Sequence, residues 1–100
     1  MSRIIFEINY DIAPEKRDEY LSVIKELQEH IRNNSNKNYL VVEDKGRKNN
    51  FTEMYICENE SEYENLEDNT DDKTFELTNR LFSDYVIDKK ARYSTYYEID

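Results

Sequence analysis

Strands that are apolar on both faces, set among only two helical stretches, constrain this chain more than any other feature. Residues 4–10 alternate Ile4, Phe6, Ile8 and Tyr10 against Ile5, Glu7 and Asn9, the period of two that marks a strand. Residues 39–42, Tyr-Leu-Val-Val, are apolar throughout and predict a second strand with both faces buried. Residues 51–57 form a third, with Phe51, Tyr55 and Cys57 on one face and Met54 and Ile56 on the other. Residues 92–99 form a fourth, with Tyr93, Thr95, Tyr97 and Ile99 opposite Ser94, Tyr96 and Glu98.

Between these runs the period changes to that of a helix. Pro14, with Glu15 in the first turn, marks a helix start. Tyr20, Leu21, Ile24, Leu27, Gln28 and Ile31 then make one stripe, and the polar run 32–36 ends it. Residues 45–50 hold the only glycine, Gly46, and predict a hairpin loop. Ser61 and Glu64 have the spacing of a capping box. The helix that follows is expected to break near Asn69-Thr70 and to resume with a stripe of Phe75, Thr78, Leu81, Phe82 and Tyr85.

The order β-α-β-β-α-β is the split βαβ, or ferredoxin-like, arrangement, with one four-stranded antiparallel sheet over a single domain of residues 1–100. Right-handed crossovers put both helices on the same side of the sheet. The other side, carrying either the Phe6 and Ile8 set or the Ile5 set, is then bare in a monomer. A patch of that size is more than soluble monomers usually expose. Pairing of two sheets about a two-fold axis, a homodimer, is the simplest cover.

Composition removes several classes of function. A net charge of −9 leaves no excess of Lys and Arg to neutralise phosphates, so neither nucleic acid nor an anionic membrane surface is an expected partner. Cys57 is the only cysteine and makes no internal disulfide. The start of the chain lacks a signal-peptide core, and no stretch reaches a spanning length, so the expected location is cytoplasmic. The acidic run 58–72 holds no Lys or Arg, yet lacks the glycine and spacing of an EF-hand loop, so no metal site is expected there.

Three segments carry a resemblance to a known family. The first strand leads into Ala13-Pro14-Glu15-Lys16-Arg17-Asp18-Glu19-Tyr20. Phe51-Thr52-Glu53-Met54-Tyr55 places a glutamate two residues before an aromatic, followed by Ser61-Glu62-Tyr63. Residues 69–75 fall where a break precedes the second helical stretch. With these the chain resembles the dimeric α+β barrel superfamily, and within it the antibiotic-biosynthesis-monooxygenase-like group. The resemblance implies a dimeric α+β barrel and activity on a small aromatic or polycyclic substrate, with no cofactor. It departs from the group where many members have a histidine, since Glu64-Asn65-Leu66 stands there. Haem-degrading relatives use an asparagine on strand one together with a histidine and a tryptophan. This chain has Asn9, but no tryptophan, and its single histidine, His30, lies on the first helix.

Glu7, Glu53 and Arg92 are the candidate catalytic residues. Each glutamate is a carboxylate inside an otherwise apolar strand, where it either pairs with a cation or has its pKa raised and exchanges protons. Arg92 is the expected cation, in a bridge across the sheet or the dimer interface, or as the holder of an anionic group. Asn9, Tyr55, Tyr63 and Tyr85 are the expected pocket residues, among the tyrosines (Tyr10, Tyr93, Tyr96 and Tyr97 also) that either wall a cavity between sheet and helices or fill the interface. His30, near a helix end, reads as structural, and Cys57 as a small buried hydrophobe. Two functions remain open: a monooxygenase-like enzyme, or a non-catalytic dimeric module that binds a ligand or serves as an accessory subunit.

Overall fold

A computed structural model describes residues 2–66 and 70–99. The first alternating run forms strand β1, Ile4–Asp11, and a short 3-10 turn, Pro14–Lys16, leads into helix α1, Arg17–Asn34. Strands β2, Asn38–Glu43, and β3, Asn50–Cys57, make the hairpin. Two separate helices follow, α2 over Glu60–Glu64 and α3 over Asp72–Asp84, and then strand β4, Arg92–Tyr97. The four strands form one sheet in the order β2-β3-β1-β4, every pair antiparallel. This is the ferredoxin-like α+β arrangement that the pattern predicts.

Register decides the two faces. Phe6 lies opposite Tyr55 and Thr95, and Ile8 opposite Glu53 and Tyr93. Side chains alternate along each strand, so Ile4, Phe6, Ile8 and Tyr10 share a face with Phe51, Glu53, Tyr55 and Cys57. That face meets the helices. Tyr10 and Phe51 join Tyr20, Val23, Ile24, Leu27 and Ile31 of α1 and Leu77 and Leu81 of α3 in one buried core. The other face carries Ile5, Leu40, Met54, Ile56, Val42 and Tyr96, and no helix of the described residues covers it.

Several local expectations change. The second strand is an edge strand rather than one buried on both sides, and Val42 is 41% exposed. Chain order cannot distinguish edge from centre, because apolar residues on an open face read the same as buried ones. The left-handed position of the hairpin is Asn49, with φ 67°, while Gly46 has no positive φ. An Asn side chain tolerates that region nearly as well as glycine does. Asn59, not Ser61, caps α2 by accepting from the Glu62 backbone N–H at 2.9 Å, and Glu62 reaches back to the Glu58 N–H at 2.8 Å. Asparagine caps as well as serine, so the helix begins two residues earlier. The predicted break at Asn69 falls outside the described residues; α3 begins after Asp71, whose carboxylate accepts from the Thr74 N–H at 2.8 Å. The buried stripe of α3 is Thr74, Leu77 and Leu81, and Phe75 is 63% exposed.

Candidate functional site

Glu53 sits in the middle of β3 on the helix-covered face and is only 3% exposed. The hydroxyl of Tyr39, from the adjoining strand, donates to its Oε1 at 2.7 Å. The hydroxyl of Tyr10, from the strand on the other side, donates to its Oε2 at 2.8 Å. With that proton committed, the Tyr20 hydroxyl of α1 donates to Tyr10 across 2.8 Å. Three phenols thus surround a carboxyl group that has no cationic partner among the described residues.

Burial dominates the electrostatics. Desolvation pushes the Glu53 carboxyl above its ordinary range, against the opposing pull of the Tyr39 and Tyr10 hydrogen bonds. The same burial, with the Glu53 charge beside them, drives the Tyr10 and Tyr39 phenols well above theirs, and burial raises Tyr20 also. These tyrosines remain protonated donors, and any proton the cluster gives or takes at ordinary pH is the one on Glu53.

An aromatic surface extends from the cluster. The ring of Tyr39 lies 4.8 Å from that of Tyr55, and Phe6 stacks between Tyr55 at 6.5 Å and Tyr93 at 6.2 Å. Tyr63 of α2 meets Phe6 edge-on at 6.2 Å. Tyr93 and Tyr97 are 63% and 64% exposed, so this surface opens to solvent along β4.

The remaining sequence candidates are dispersed. Glu7 lies on the face opposite to Glu53, across from Met54 and Ser94, with no hydrogen-bond or ion-pair partner among the described residues. The expected bridge from Arg92 to either glutamate is absent there. Arg92 pairs in register with Asn9, donates to its Oδ1 at 2.9 Å, and reaches Asp11 at 3.4 Å. Asn9 is therefore part of a polar network on the helix-free face rather than a lining of the helix-side pocket. Its amide donates to Asn50 and Thr52, each at 2.9 Å, and Asn50 donates to Asp11 at 3.0 Å. Tyr85 is core, packed with Leu81 and Val86. Of the four expected pocket residues, Tyr55 and Tyr63 border the helix-side aromatic surface. His30 bonds through Nε2 to Asp71 at 2.9 Å, tying α1 to the cap of α3. Cys57 is buried, and desolvation raises its thiol pKa.

Sequence reasoning missed Tyr20 and Tyr39. The signal for Tyr20 is a hydroxyl at the start of an otherwise aliphatic stripe. Tyr39 becomes a partner only once the β2–β3 register sets Val41 against Glu53. Also unforeseen is a cleft of about 390 Å³ between the α1–β2 turn, the end of β3 and α2. Among the described residues no group of three or more His, Cys, Asp or Glu side chains could hold a metal ion, and no helix is long and apolar enough to cross a membrane.

No family model matches the sequence, and no curated protein matches it. Solved structures do. A conserved protein from Methanosarcina mazei superposes with a TM-score of 0.78 at 20% identity, covering 96% of this chain and 92% of that one. A Deinococcus radiodurans protein, provisionally named an antibiotic biosynthesis monooxygenase, gives 0.72 at 12% identity over 97% and 93%. A structure named antibiotic biosynthesis monooxygenase gives 0.70 at 14% identity over 97% of each chain. At such identities the likeness speaks to architecture, and on that ground the chain has the ferredoxin-like α+β fold shared with structures named as monooxygenases of antibiotic biosynthesis.

Proposed function

We infer that the protein acts as a homodimer, its helix-free sheet face covered by a second copy, and that each subunit binds a small flat aromatic molecule against Phe6, Tyr63 and Tyr93. Its chemistry there is monooxygenase-like, with the Glu53 cluster as the proton-exchanging group. The observation that carries this reading is Glu53 itself, an acid buried with no cationic partner among the described residues and joined through Tyr39 and Tyr55 to an exposed aromatic surface. An acid of raised pKa at the edge of such a surface is suited to take a proton from a phenolic substrate. The names of the structural neighbours agree with the class of reaction.

A second reading has its own support. Both oxygens of Glu53 are already engaged by tyrosines, which suits a non-catalytic module that binds the same kind of ligand. Native mass spectrometry with a dihydroxynaphthalene, combined with oxygen uptake, separates the two. Dimer mass, a bound ligand, and uptake that disappears in Glu53→Gln while binding persists support the enzyme. Binding without uptake supports the module. Neither binding nor uptake overturns both.

A further inference from the structure

We propose that the cleft between the α1–β2 turn and α2 is a second binding site, separate from the Glu53 cluster, for a small monoanion that carries a carboxylate next to an amide. Three segments build it: residues 34–38 from the end of α1 and the turn, residues 55–57 from the end of β3, and Ser61, Glu62, Asn65 and Leu66 from α2 and its exit. Its volume of about 390 Å³ falls within the range of small-molecule sites.

The lining holds an uneven supply of partners. Asn34, at one edge of the lining, donates to the His30 carbonyl, and Asn9 and Asn50 are tied into hydrogen bonds elsewhere in the molecule. Around the cleft, by contrast, the side chains of Asn36, Asn38, Tyr55, Ser61 and Asn65 bond to no described residue. Asparagine amides present a donor beside an acceptor, the complement of an amide edge. Tyr55, Cys57 and Leu66 supply an apolar floor.

Charge selects the rest of the ligand. Lys37 is the only cation among the described lining residues, and its ammonium donates to the Leu66 carbonyl at 3.2 Å, which leaves further N–H donors for a guest. Burial lowers its pKa, so an anion beside it relieves a desolvation cost. Glu62, the one acid among the described lining residues, is exposed and turned to the Glu58 N–H, so water screens its charge more than that of the half-buried Lys37. One cation in a chain of net charge −9 matches one negative charge and disfavours a doubly charged phosphate.

The test is a titration of ¹⁵N-labelled protein with N-acetylglycine, followed by amide chemical shifts. The expected result is saturable shifts centred on residues 34–38, 55–57, 61–62 and 65–66, with Phe6 and Tyr93 of the other surface unmoved. Lys37→Met should weaken binding about tenfold or more, the loss of one charge-assisted hydrogen bond, and Lys37→Arg should retain it. N-acetylglycinamide, which lacks the charge, should bind as weakly as the parent acid binds to Lys37→Met. Glu53→Gln should leave the shifts unchanged, so this site stands or falls independently of the function inferred above. Absent or unsaturable shifts, shifts spread over the sheet, or equal affinity in Lys37→Met would overturn the proposal.

Discussion

Two phenols hold the two oxygens of Glu53, so removing either hydroxyl leaves a buried polar atom without its partner. Tyr39→Phe and Tyr10→Phe are each expected to lower the unfolding free energy by about 1–3 kcal/mol in a urea titration. Tyr20→Phe leaves Glu53 fully bonded and should cost less than either; the reverse order would contradict the network. Glu53 also sets a dependence on pH. Its folded pKa is raised, so between the ordinary carboxylate range and that higher value the folded chain holds more protons than the unfolded one. Its contribution is therefore complete below about pH 4 and is lost as pH rises through the raised pKa. Glu53→Gln should flatten that decline, and parallel urea midpoints for parent and variant from about pH 5 to 9 would refute it. Glu43 acts in the opposite sense. The Arg17 guanidinium holds it to about 2, through bonds of 2.6 and 2.9 Å. Its share is present above the unfolded carboxylate pKa and lost as pH falls toward 2, and Arg17→Met should reduce that acid-side loss, the Asn49 N–H bond at 2.8 Å keeping the remainder.

Helix α3 shows how an element's face is settled by more than its own period. Leu77 is buried and Phe75 is exposed, so Leu77→Ala should cost about 2–5 kcal/mol, whereas Phe75→Ser should stay within about 0.5 kcal/mol. Chemical denaturation of the two variants checks the assignment, and equal losses would place Phe75 in the core. Asp71→Ala removes the cap of the same helix and its bond to His30, with an expected cost of about 1 kcal/mol. The strands themselves are legible in the sequence, because β1 and β3 alternate clearly. Which face meets the helices is not, since Ile5 and Met54 are as apolar as Phe6 and Tyr55. The packing of Tyr10 and Phe51 against Tyr20 on α1 decides it. Glu53 stands out as a carboxylate in an apolar run, yet its two donors come from the strands on either side, β1 and β2, and emerge only with register. Arg92 illustrates the limit in the other direction: its charge is visible in the sequence, but its partners, Asn9 and Asp11, are set by the β1–β4 pairing.

At the scale of the molecule, the sheet divides labour between its sides. One carries the core and the acid; the other presents Ile5, Leu40, Met54 and Ile56 beside a polar end built from Asn9, Asp11, Asn50 and Arg92. Sedimentation at micromolar concentration is expected to give the mass of two chains. Met54→Glu, which adds a second carboxylate directly across from Glu7 on that face, should reduce it to one with the far-ultraviolet dichroism unchanged. A monomeric parent would end the dimer reading without touching the Glu53 site. The cluster of phenols has one more consequence, an optical one. The chain has nine tyrosines and no tryptophan, so its near-ultraviolet emission is tyrosine light alone. Tyr10 and Tyr39 donate directly to Glu53, and a phenol bonded to an ionised carboxylate loses emission that it keeps beside a neutral one. Tyr97 donates likewise to Glu60, so the part of the dimming with rising pH that Glu53→Gln abolishes is the built-in, label-free reporter of that one buried acid.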